Sequence, residues 1–186
     1  MQISDDGLVH QNLDRRNSRI HIAYNPWRAG SACKGGAYMC KAIGPKKCCN
    51  FDGFGVTRIL WNDLGTTNLG LAYSGGKCAK KIHSGCGQKH KCLTAKGPTG
   101  ASWKKGCSEP NLMDSGCESS VTPNAVSYLF AEADQMFVLE TQDAVDTLRK
   151  IESFQEDLQK VKFLLSQGAE WRRTEDDDGN RTLAVE

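Results

Sequence analysis

Apolar and polar residues alternate from Arg19 to Tyr24, a period-two pattern that predicts a β-strand; Asn25-Pro26 ends it, since proline has no amide proton for a ladder. Gly55–Trp61 is rich in β-branched and aromatic residues and reads as the strongest strand, after an Asp52-Gly53 turn. Leu69–Tyr73 predicts a second, shorter strand closed by Ser74-Gly75-Gly76, and Ala101–Trp103 one more. Gly35-Gly36 reads as a tight turn between Cys33 and Cys40. From Lys77 to Gly106 apolar periodicity nearly vanishes, which predicts loops ordered by bridges. Val126–Phe130 and Met136–Glu140 flank a polar Ala131–Gln135 and suit a hairpin, with a single helix over Pro123–Glu140 as the competing reading. Leu148, Ile151, Phe154, Leu158, Val161 and Leu165 recur at helical spacing, predicting one long amphipathic helix, capped at Thr141 and ending at Gly168.

The apolar residues are unevenly spread: Leu, Ile, Val and Phe are 11 of the 75 residues in 33–107, but 18 of the 66 in 121–186. A segment that poor in aliphatics cannot offset its chain entropy by burial. The same stretch holds eight of the nine cysteines: Cys33, Cys40, Cys48, Cys49, Cys78, Cys86, Cys92 and Cys107, with Cys117 beyond it. Disulfides supply the deficit at roughly 2–4 kcal/mol each. The adjacent Cys48 and Cys49 are expected to pair with different neighbours, because a ring between them is strained. An odd count leaves one thiol free or paired between chains. The expected fold is α+β: a small disulfide-stapled antiparallel β-rich domain followed by the helix. The expected divisions are a polar lead (1–32), a cysteine-rich β-domain (33–140), the helix (141–168) and an acidic disordered tail (169–186). A helical self-association seam is the lesser reading of the stripe, because clean heptads are too few.

Charge is split along the chain. The net charge is +1 for 1–32, +11 for 33–107 and −10 for 108–186. The basic part suits a protein partner or an anionic surface: polysaccharide, lipid headgroup or nucleic acid. Alternatively the acidic part folds back and screens it. Lys80, Lys81, Lys89, Lys91, Trp103, Lys104 and Lys105, with Tyr73, interleave rings and charge as in surfaces that stack bases and hold phosphates. A solvated basic face with one structural tryptophan is the plainer reading.

Cys78, His83, Cys86, His90 and Cys92 are the one ligand-like cluster, at spacings compatible with zinc, though no Cys-x2-Cys knuckle is present. His83 and His90 also have the chemistry of a ribonuclease acid–base pair. Asp52 and Asp63 are the only carboxylates in 33–107, and no nucleophile elbow, P-loop or dinucleotide motif occurs, so no catalytic residues and no cofactor are assigned. Cysteine usage implies an oxidising compartment, yet Met1–Asp6 is polar and 1–32 has no apolar run of signal-peptide length. A renumbered mature form, a truncated gene reading and a cytosolic metal-binding protein account for this, in that order. Arg15-Arg16 has the form of a dibasic processing site that would leave Asn17 as a new terminus, with a chance Arg pair in an exposed lead as the plainer reading; Asn180–Thr182 is a lone glycosylation sequon.

Cys48–Trp61 and Leu71–Cys78 resemble small cysteine-rich secreted proteins of filamentous fungi, in which a double cysteine precedes a strand and an aromatic-x-Gly-Gly-x-Cys turn closes a later one. The resemblance covers about 33–107. It implies secretion, disulfides and an effector-like, toxin-like or surface-binding role without catalysis, and assigns no functional residue. The resulting expectation is a secreted, non-enzymatic interaction protein presenting a basic surface to a host or competitor target. The alternatives are a small secreted hydrolase such as a ribonuclease, or an intracellular zinc-dependent nucleic-acid binder.

Overall fold

The computed structural model describes residues 19–25, 33–86, 90–108, 117–130 and 135–173, without the side chains of His90, Lys91 and Arg173. Among the described residues twelve strands and two helices follow in order: β1 (Ile20–Asn25), β2 (Gly35–Ile43), β3 (Lys47–Asn50), β4 (Arg58–Asn62), β5 (Asn68–Ser74), β6 (Lys80–Cys86), β7 (His90–Thr94), β8 (Gly100–Lys105), β9 (Ser119–Val121), β10 (Ala125–Phe130), β11 (Gln135–Glu140), α1 (Ala144–Ser153), α2 (Asp157–Ser166) and β12 (Glu170–Arg173). They form a seven-stranded sheet, β12-β11-β10-β2-β1-β4-β7, and a five-stranded sheet, β6-β5-β8-β3-β9.

The alternation in β1 sorts its side chains onto two faces of the large sheet. Ile20, Ile22 and Tyr24 join Ile59, Trp61 and Cys40 on one face, and meet Cys49, Ala72, Ala101 and Trp103 of the small sheet. Both buried indoles keep a hydrogen-bond partner: Trp61 Nε1 donates to Ser102 O and Trp103 Nε1 to Ile43 O, each at 2.9 Å. The helices cover the rest of this face, with Leu148, Ile151 and Leu164 on Val126, Tyr128 and Phe137.

On the other face Ala23, Ala37, Met39, Leu60, Ala125, Met136 and Val138 form a separate core. Asn62 of β4 donates through Nδ2 to Met136 Sδ of β11 at 3.4 Å, although the two strands are four steps apart in the sheet order. A flat sheet would hold them about 19 Å apart. The large sheet is therefore curled, with this core on its concave side and the small sheet and helices on its convex side. Alanines at 23, 37 and 125 make room for that curvature.

The expected single helix is two. Ser153 Oγ donates back to Lys150 O (2.6 Å), Phe154 takes extended backbone, and its ring packs on Phe163 at 5.5 Å. A straight helix over 141–168 would run about 42 Å, twice the roughly 20 Å of a six-residue strand. Two ten-residue helices match the sheet instead, and Tyr128 ties the second down by donating to Asp157. The break rotates the stripe: Leu148 and Ile151 stay buried, but Leu158 and Leu165 turn outward and Leu164 takes the inner place. No continuous apolar seam remains along the described helices. The cap is Asp143, accepting from Asp146 N, with Thr141 accepting from Asp143 N.

Other expectations divide. The Asp52-Gly53 turn forms, with Gly53 at φ +85°, and the 126–140 segment is the hairpin. Gly35-Gly36 is not a turn; it opens β2, where a Cβ on Gly36 would meet Leu148 Cδ1 at 2.7 Å. The bare position is what seats α1. The region 77–106 is not loop throughout, since it carries β6, β7 and β8. Nor do the lead and tail stand apart: β1 and β12 belong to the same sheet as β2 and β10. Arg15, Arg16 and the sequon lie outside the described residues.

Four bridges staple this frame: Cys33–Cys92, Cys40–Cys49, Cys48–Cys78 and Cys86–Cys107; Cys117 is a free thiol. The neighbouring Cys48 and Cys49 do tie β3 in two directions. Among the described residues no helix is long and apolar enough to cross a membrane.

Candidate functional site

The curl brings together side chains that are far apart in sequence. The β1–β2 ladder slips between Ile20 and Ile22, so Lys41 and Ala42 lie opposite His21 in a bulge, with Ala42 at φ +54°. The bulge turns the Ala42 N–H onto His21 Nδ1 at 3.0 Å. From β12, Arg172 reaches across so that NH1 lies 2.6 Å from His21 Nε2. Arg172 also approaches Asp63 (3.8 Å) and Glu170 (3.4 Å), while Lys41 holds Glu170 (3.3 Å) and Glu140 (3.2 Å). The resulting chain Asp63–Arg172–Glu170–Lys41–Glu140 closes one end of the concave face and clamps β12 and β11 to β2 and the end of β4.

His21 is the buried member. Both ring nitrogens face N–H donors, an arrangement the imidazolium cannot satisfy at all. Burial, reinforced by the Arg172 charge, lowers its pKa from 6.5 to about 4, with Asp63 opposing. Beside it Asn62 is 2 % exposed, and its Oδ1 has no hydrogen-bond partner among the described residues. The ion pair with Lys41, ahead of that with Arg172, lowers the Glu170 pKa. This is a neutral imidazole under a compensated ion network. It has the geometry of a clasp, and among the described residues no nucleophile stands beside it.

The clasp predicts a pH dependence. The unfolded chain takes up the His21 proton near pH 6.5, and the folded chain only near 4. Stability is therefore fully present above pH 6.5 and falls by roughly 3 kcal/mol between pH 6.5 and 4. Loss of the Glu170 pairing follows at lower pH. Urea midpoints of the wild type and His21→Asn at pH 7.5, 5.5 and 4.5 check this: the wild-type midpoint should fall steeply and the variant's should not. Parallel curves would remove His21 as the cause.

The residues singled out from sequence do not form one site. Trp103 is wholly buried between the sheets and offers no stacking surface. Lys80 and Lys81 lie opposite Ser74 and Tyr73, whereas Lys104 and Lys105 lie opposite Leu69 and Asn68, at the other end of β5. The β2–β3 turn joins that second end, where Lys46 N donates to Trp103 O at 2.8 Å, so Lys46, Lys47, Lys104 and Lys105 share one end of the small sheet. Among the described residues none of these four lies in an ion pair. Lys89 lies outside the described residues, and of Lys91 only the backbone is described.

The zinc-like cluster is dispersed. Cys78, Cys86 and Cys92 enter three different bridges, so none offers a thiolate. His83 lies on β6 at the edge of the small sheet and His90 on β7 at the edge of the large one. Sequence reasoning missed the clasp because its members come from five separate stretches of chain. The one local sign was the histidine inside an otherwise apolar strand.

A model of the ARB_05566_N family, described as an N-terminal domain, matches residues 23–124. The match runs from β1 through β9 and stops before β10. No curated protein and no solved structure matches the chain.

Proposed function

This chain belongs to the fungal-named ARB_05566_N family, and from that premise we propose that it is a secreted, non-enzymatic interaction protein. Its contact surface is the lysine end of the small sheet, presented to an anionic target on a host or competitor. The observation that carries this reading is the unequal pairing of the basic residues. Acidic residues from the C-terminal half neutralise Lys41 and Arg172 in the clasp, but leave Lys46, Lys47, Lys104 and Lys105 unpaired among the described residues. Four unpaired ammonium groups on a staple-hardened sheet attract anionic surfaces at little ordering cost. The bridges support an extracellular site of action.

The test is binding to anionic phospholipid vesicles and to a sulfated polysaccharide at low salt. Each lysine near such a surface contributes about 1 kcal/mol. Replacing all four by glutamine should therefore weaken binding about a hundredfold or more. Binding that is absent in the wild type, or unchanged in the variant, would sink the proposal. Cleavage of RNA that depends on His83 would favour a hydrolase instead.

A further inference from the structure

The ninth cysteine is placed against a bridge. β9 pairs in parallel with β3, with Cys48 opposite Ser120, and just before it Glu118 N donates to Lys46 O at 2.9 Å. The half-buried Cys117 Sγ lies within 4.8 Å of both Cys48 Sγ and Cys78 Sγ, the two sulfurs of one disulfide. The bridge lies on the bare backbone of β8. A Cβ on Gly100 would meet Cys78 Sγ at 2.7 Å and Cys48 Sγ at 3.2 Å, so the missing side chain is what admits the bridge there. The hydroxyls of Ser102 and Tyr73 lie 2.9 Å apart and act to lower the Cys117 pKa.

We propose that Cys48, Cys78 and Cys117 form an intramolecular thiol–disulfide exchange site in which Cys117 displaces Cys78 from Cys48. The Cys117 thiolate attacks the Cys48 sulfur; the Cys117–Cys48 bond forms as the Cys48–Cys78 bond breaks. Cys78 leaves as a thiolate and takes up the proton that Cys117 gave up. No external oxidant or reductant is consumed.

Two features set this direction. The new bridge joins β3 to the segment leading into its own neighbour, β9. The released cysteine ends a strained turn, since Lys77 and Cys78 both hold positive φ (+46° and +58°) without being glycine. Cys78 is itself buried beside Leu69, Leu71 and Tyr73, so the displaced thiol stays inside the same apolar cluster. Burial meanwhile raises the Cys117 pKa, against the Ser102 and Tyr73 hydrogen bonds, so exchange is slow near neutrality and speeds up as pH rises. The exchange moves the free thiol from the half-buried segment before β9 to the buried end of the β5–β6 turn.

The experiment is peptide mapping of the whole oxidised protein. It is incubated between pH 6 and 9, trapped with N-ethylmaleimide at acid pH, and digested without reduction. Two populations are expected: Cys48–Cys78 with Cys117 trapped, and Cys48–Cys117 with Cys78 trapped, the second appearing faster at higher pH. In Cys78→Ser the Cys48–Cys117 bridge should form with the near-ultraviolet circular dichroism unchanged; in Cys117→Ser no thiol should be trapped. Cys117 alone trapped at every pH in the wild type would overturn the proposal, whether or not Cys78→Ser folds. Exchange that also reshuffles Cys40–Cys49 or Cys33–Cys92 would overturn it too, as general scrambling.

Discussion

Full reduction is expected to unfold this protein at neutral pH and room temperature. The four bridges close separations of 59, 30, 21 and 9 residues. Chain entropy assigns each about 2.5–4 kcal/mol, so together they exceed about 10 kcal/mol, the order of a whole domain's net stability. They also act where burial is weakest. Cys33–Cys92 spans the concave core, holding the segment before β2 against edge strand β7, and Cys48–Cys78 pins the β5–β6 turn to β3. Near-ultraviolet circular dichroism in a strong reductant should lose its fixed-aromatic signal in one transition. Stepwise reduction should open Cys86–Cys107 first, since neither of its cysteines is buried, and Cys40–Cys49 and Cys48–Cys78 last, since all four of theirs are. A reduced chain that keeps a native aromatic spectrum would show that burial alone holds the sheets together, and would remove the main support for an extracellular role.

Trp103→Ala is expected to cost about 3–5 kcal/mol, the range for truncating a fully buried large aromatic. The indole is 0 % exposed, packs in the core between the two sheets, and donates to Ile43 O. Truncation leaves both a cavity and a buried carbonyl without its donor. Trp103→Phe keeps most of the volume and should recover more than half of the loss. Urea unfolding separates these cases. The alternative reading, a ring that stacks on a ligand, makes the opposite forecast: stability near wild type with binding lost. Finding that would mean this face of β8 opens in solution.

Much of the strand framework was legible because burial and backbone period coincide there. β1 alternates, β4 carries Ile59 and Trp61, β5 holds an apolar run closing on Tyr73, and β10–β11 are two apolar runs about a polar stretch of sequence. The edge strands were not legible. β6 reads Lys80-Lys81-Ile82-His83-Ser84-Gly85-Cys86 and is mostly exposed or half-exposed, so its partner β5, rather than its own pattern, makes it a strand. β12 has four residues and exists because β11 offers an open edge. The helix stripe misled for a related reason. Helical spacing persists across Phe154, but the length of the face to be covered is a property of the sheet.

The sequence by itself determined that this chain needs covalent staples, since 33–107 carries too few aliphatics to bury its way to order. It determined too that Cys48 and Cys49 would part company, and that an odd cysteine would remain. Only the tertiary structure decided which sulfurs meet, that the large sheet curls, and that His21, Asn62 and Arg172 converge inside the curl. It also decided that Trp103 faces inward. Each of these depends on contacts between residues tens of positions apart, and local periodicity reports which face a side chain takes, not what lies across from it.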